Sequence, residues 1–164
     1  IEAMLNELRR EAGTTKRVLE QVPTDKLSWQ PHPKSMSLGQ LANHIATIPA
    51  TVTRLAQDGG FDTENANFNP DQPESKEVIL KALEDSLQKA ETYLIGLDEE
   101  SAAQTWRLTS KGKEIFGIPR SEMLRSIMLN HWYHHRGQLS VYLRLLDVSV
   151  PAIYGRSADE NPFA

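Results

Sequence analysis

The segment LNHWYHHRGQL, residues 129–139, sets His131, His134 and His135 within five positions of one another, in a chain that has five histidines in all. Imidazole is both a frequent metal ligand and a proton carrier near neutral pH, so its spacing decides what it can do. On a helical wheel with His131 at zero and about 100° per residue, His135 falls at about 40° and His134 at about −60°. Leu124, Ile127, Met128, Leu139, Tyr142, Leu145 and Leu146 lie between about −40° and 80°. His131 and His135 are therefore expected in the middle of an apolar arc, with His134 on its edge. Arg136, at about 140°, is expected to face away and to pair with an acidic tail residue.

An i, i+4 histidine pair can share one ion. Without an ion, two imidazoles in an apolar seam are poorly solvated polar groups. The competing reading is two core histidines, each satisfied by one hydrogen bond. A third histidine shifts the balance: in SLGQLANHIA, His44 lies to one side of an arc formed by Leu41, Ile45, Ile48, Val52 and Leu55. It could reach the pair from a facing helix, as ligands do in bundle cores. Three neutral imidazoles would leave coordination positions open, the mark of a catalytic rather than a structural site. His32, between two prolines, reads as a surface residue.

Four helical segments must position these groups. The first spans about Glu2 to Val22, with Leu5, Leu8, Ala12, Thr15 and Leu19 at helical spacing before Pro23. The second starts at a capping box, Ser37 with Gln40, and runs to about Asp58 with a kink expected at Pro49. The third spans about Ser75 to Leu97. The fourth begins at Pro119 and ends near Asp147. Between the third and fourth, WRLTSKGKEIF alternates around Gly112 and could form a short hairpin. The tail VSVPAIYGRSADENPFA is apolar enough at its start to pack on the helices. The expected fold is all-α, a four-helix bundle with long crossover connections, over one domain, residues 1–164.

The totals narrow the function. A net charge of −4 argues against nucleic-acid binding, and no apolar run reaches the roughly 18 residues of a membrane span. There is no cysteine, so disulfides, thiolate ligands and an internal thiol nucleophile are excluded. The opening residues IEAMLNELRR show no apolar signal-peptide core, and a cytoplasmic setting is expected. Any metal must be held by His, Asp or Glu, and any thiol must be imported.

Together, SLGQLANHIA, LNHWYHHRGQLSVYLRLL and the tail VPAIYGRSADE resemble the DinB/YfiT-like metalloenzymes, from about WQPHPKSMS onward. The fourth-helix motif is the specific part. The resemblance implies a four-helix bundle of unusual connectivity and one divalent metal ion, nickel or zinc, with His44, His131 and His135 as its ligands. It also implies a homodimer in many members. Several relatives act on low-molecular-weight thiols, as bacillithiol S-transferases or mycothiol-dependent maleylpyruvate isomerases, so a small-molecule substrate and a thiol cosubstrate are expected.

Two enzymatic readings follow: transfer of an external thiol to an electrophile, or metal-dependent hydrolysis of a small ester or amide. Hydrolysis usually needs a nearby carboxylate base. The expected metal-facing arcs carry none, which leaves only Glu114, Asp159 or Glu160 from connections and tail. Transfer is favoured for that reason. A third reading is a metal-binding stress-response or docking module without turnover. Gln138 and Tyr142, one and two turns beyond His135, are candidate substrate-binding residues, with core lining as the alternative. Trp29, Trp106 and Tyr154 could line a pocket or staple loops to the helices, Leu124 and Met128 read as core, and Gly137 could permit close helix approach.

Overall fold

The computed structural model describes residues 1–64, 66–67 and 69–164. It is mostly helical and carries a small sheet. Helix α1 is Glu2–Glu20, and a single 3₁₀ turn, Thr24–Lys26, follows Pro23. Helix α2 is Leu38–Gln57. Its first turn is closed by the expected capping box: Gln40 N–H donates to Ser37 Oγ at 3.1 Å, and Ser37 N–H to Gln40 Oε1 at 3.0 Å. Such a cap contributes about 1 kcal/mol. Helix α3 is Lys76–Gly96, capped by Ser75, and α4 is the short Glu99–Ala103.

Helix α2 passes through Pro49 without a break. Proline has no N–H for the carbonyl four residues back. That carbonyl belongs to Ile45, and it accepts instead from the indole N–H of Trp132, at 2.8 Å. The next amide, Ala50 N–H, donates across to Ser86 Oγ of α3 at 2.9 Å. The proline thus ties α2 to two neighbouring helices.

The expectation of an all-α chain needs correction. Strands β1 (Gly60–Asp62), β2 (Thr105–Ser110) and β3 (Lys113–Pro119) form a sheet in that order. The suggested hairpin is β2–β3, antiparallel, turning at Lys111 and Gly112, both with positive φ. Strand β1 was not anticipated. It pairs in parallel with β2, Phe61 opposite Leu108, inside what reads as a turn-rich loop. Three residues are too few to show an alternating pattern.

The fourth helical segment is also not uniform. It comprises α5 (Arg120–Met123), a π-helical stretch (Leu124–Asn130) and α6 (His131–Leu145). Helix α6 packs against both α1 and α2, while α3 packs against α1 and α2. The buried residues of α6 are therefore Trp132, His135, Arg136, Leu139 and Leu143. On the wheel their centre lies at about 100°, well beyond the arc expected from the leucines. Leu145, expected inside, is 58% exposed.

Arg136 is the largest departure. It is 1% exposed and donates to Glu11 Oε2 of α1 at 2.8 Å, to Thr15 Oγ1 at 3.1 Å and to Tyr154 Oη at 2.6 Å. Its guanidinium also lies over the rings of Tyr133 and Tyr154. It points inward because α1 covers that side of α6, and its acidic partner is on a helix rather than the tail. The tail does pack on the helices, through Glu160 to Arg17 at 2.5 Å and Asp159 to Arg144. No helix is long and apolar enough to cross a membrane among the described residues.

Candidate metal centre

His44 of α2 and His131 and His135 of α6 come together, one ring nitrogen from each lying within 4.8 Å of the other two. Nε2 of His131 lies 2.7 Å from Nε2 of His135 and 3.4 Å from Nε2 of His44. His44 and His131 are half-buried and His135 is 9% exposed, at the margin of the buried arc rather than in its middle. The Trp132–Ile45 bond sets this meeting. Trp132 follows His131 and Ile45 follows His44, so the bond fixes α6 against α2 at the level of the imidazoles. Trp132 was not singled out from the sequence. An interior proline four residues after an apolar position was the signal that a side-chain donor was needed.

Burial favours the neutral imidazoles. Desolvation, then the neighbouring His135 and His131, lowers the pKa of His44 to about 4. His135 is lowered to about 4, chiefly by burial, against an opposing hydrogen bond to Gln138 and with further lowering from His131 and His134. His131 is lowered mainly by burial, with the Ile127 carbonyl opposing and His134 adding to the effect. Nδ1 of His131 is buried and has no other hydrogen-bond partner.

This donor set fits a divalent transition-metal ion. Neutral ring nitrogens facing one another 2.7 Å apart need a proton or a cation between them. Three imidazoles suit zinc, nickel, copper or iron. Among the described residues no carboxylate joins the group. The three candidate bases are held elsewhere: Glu114 by Arg107 at 3.1 Å, Asp159 by Arg144 and Glu160 by Arg17.

The other singled-out residues separate cleanly. His134 is exposed, its ring centroid 5.0 Å from that of His135 and outside the group; His32 is exposed and accepts from Lys34 N–H. Gln138 Oε1 lies 2.7 Å from His135 Nδ1. The Tyr142 hydroxyl donates to the Met36 carbonyl at 3.2 Å, and its ring meets Trp29 edge-on at 5.7 Å. Trp106 is buried and donates to the Leu55 carbonyl, and Tyr154 covers Arg136. Trp29, Trp106 and Tyr154 thus staple the 28–36 connection, strand β2 and the tail to the helices. Leu124 and Met128 are core. Gly137 brings no helix close, since a Cβ there would meet nothing within 4 Å. A groove of about 950 Å³ between α2 and α3 starts at Thr47, one turn from His44, but none of the three histidines lines it.

With this geometry in hand, the likenesses to known proteins gain meaning. The family model described as "DinB family" matches residues 2–161. YjoA of Bacillus subtilis (strain 168) is 29% identical over 134 residues, 80% of this chain and 81% of that protein. A DinB-like protein from Bacillus cereus ATCC 10987 superposes with a TM-score of 0.69 at 24% identity, covering 94% of this chain and 97% of its own. A mycothiol-dependent maleylpyruvate isomerase superposes at 0.53 with 14% identity, covering 92% of this chain and 61% of its own. Both superpositions bear on the fold.

Proposed function

The chain belongs to the DinB family, and from that premise we propose that it is a divalent-metal-dependent enzyme that transfers a low-molecular-weight thiol to an electrophilic small molecule. The reading rests on one observation, the convergence of three neutral imidazoles from two helices with no carboxylate among them. In it, His44, His131 and His135 hold a single ion, nickel or zinc, within a four-helix bundle whose long crossovers flank the site. Held by neutral ligands alone, the ion keeps its +2 charge and supplies the Lewis acidity that lowers the pKa of a thiol or water.

The chain's own part is positional. The Trp132–Ile45 bond holds the two helices in register, and burial keeps all three rings unprotonated near neutral pH. Tyr142 and Trp29 hold the 28–36 connection against α6. The chain has no cysteine, so the sulfur comes from a cosubstrate. That thiol releases its proton to solvent, its sulfur forms the new S–C bond, and the leaving group departs with the electron pair of the carbon bond that breaks. The likeness of fold to a mycothiol-dependent isomerase is in keeping with a small thiol. Hydrolysis is the second reading. It is disfavoured because Glu114, Asp159 and Glu160 are already committed to arginines.

The test is a paired assay on metal-loaded protein, with an activated electrophile and several small thiols in one arm and an ester and amide panel in the other. Thiol consumption that a chelator abolishes is expected. Metal-dependent hydrolysis without thiol would favour the second reading, and silence in both arms would leave a metal-binding module without turnover.

A further inference from the structure

Gln138 sits one turn beyond His135 on the exposed flank of α6, its Oε1 2.7 Å from His135 Nδ1. We infer that Gln138 is a positioning residue, whose amide oxygen accepts the His135 Nδ1–H and holds that ring in the tautomer whose Nε2 lone pair faces His44 and His131. The purpose of this arrangement rests on the three-histidine metal reading; its geometry does not.

A neutral imidazole has one N–H and one lone pair, and the nitrogen offered an acceptor is the one that carries the proton. Nε2 of His135 is the nitrogen turned to the other two histidines. An acceptor at Nδ1 therefore keeps the proton away from the position where a lone pair is required. Left alone, the ring would sample both tautomers and other rotations, and a cation would have to select among them. An amide can offer either its oxygen or its NH₂, but only the oxygen is compatible with a lone pair at Nε2. Outer acceptors of this kind orient metal-bound histidines and raise their basicity.

No side-chain acceptor meets the buried Nδ1 of His131 among the described residues. Of the two histidines of α6, His135 is the one whose Nδ1 meets a side-chain acceptor. Gln138 is therefore assigned to the ligand rather than to the substrate, and substitution there is expected to reach the metal site before it reaches turnover.

The test compares the full chain with Gln138→Leu and Gln138→Glu by two measurements. Heteronuclear NMR of metal-free protein near neutral pH reads the His135 tautomer, and competition titration with Zn²⁺ or Co²⁺ reads affinity. The parent and Gln138→Glu are expected to carry the proton on Nδ1, since both offer an oxygen. Gln138→Leu is expected to lose that preference and to bind the ion about 10- to 100-fold more weakly, with affinity kept or raised in Gln138→Glu. Parental tautomer and parental affinity in Gln138→Leu would overturn the assignment. A parent that binds no ion while Gln138→Leu still changes tautomer would uphold the positioning and remove the metal reading instead.

Discussion

The indole N–H of Trp132 donates to the carbonyl of Ile45 at 2.8 Å, and that carbonyl is free because Pro49, four residues on, has no N–H to give it. One sequence feature on α2 therefore creates an acceptor, and one on α6 fills it, each beside a histidine of the cluster. Trp132→Phe removes the donor and strands a buried carbonyl, at an expected cost of about 1–3 kcal/mol. Pro49→Ala in the Trp132→Phe background restores a backbone donor and should recover part of the loss. Denaturant unfolding of the two single variants and the double variant measures the coupling. Additive effects would show that the two residues act independently.

Arg136 and Glu11 form an ion pair with side chains 1% and 7% exposed. Breaking such a pair from one side is costlier than its net contribution, because the remaining charge stays buried. Arg136→Met leaves the buried Glu11 with only the Tyr154 hydroxyl at 3.1 Å and the exposed Arg10 at 3.8 Å as partners, and should destabilise the fold by about 3 kcal/mol. Glu11→Gln strands the arginine and should cost a similar amount. A shift under 1 kcal/mol in both unfolding curves would contradict the packing of α6 against α1.

Much of this arrangement can be read from residue order, and the failures have identifiable causes. The 3.6-residue period gave the helices, Ser37 and Gln40 gave the start of α2, and the spacing of His131 and His135 with His44 gave the cluster. A wheel that lets apolar residues alone define the interior puts Arg136 on the wrong side, because α6 has a neighbour on each flank. The wheel also assumed uniform α-geometry across 124–130, where the chain is π-helical. Strand β1 was hidden for another reason. Its pairing depends on β2, more than forty residues later, and no local pattern reports a partner at that distance.

Asp62 fastens that strand. Its carboxylate accepts from Glu64 N–H at 2.9 Å, from the Thr109 hydroxyl at 2.7 Å and from Gly112 N–H at 3.1 Å. The Glu64 amide, then Thr109 and the Gly112 amide, hold its pKa down to about 2 from 3.8. A carboxylate with a lowered folded-state pKa stabilises the fold fully above its unfolded value and loses that contribution as the pH falls through about 2. Carboxyl NMR titration should place the Asp62 midpoint at about 2. In Asp62→Asn, β1 and the hairpin turn should exchange amide protons faster near neutral pH. A midpoint at the ordinary aspartate value would contradict the three bonds.

His44, His131 and His135 are proposed to hold one ion. Titration of metal-free protein with Co²⁺, followed by its visible absorption and by elemental analysis, tests this most directly. One ion per chain is predicted in the parent. His131→Ala, His44→Ala and His135→Ala should each lose it while circular dichroism shows the helices intact, and His134→Ala should behave as the parent does. Equal metal content in His131→Ala and the parent, or loss of the ion in His134→Ala, would contradict the account.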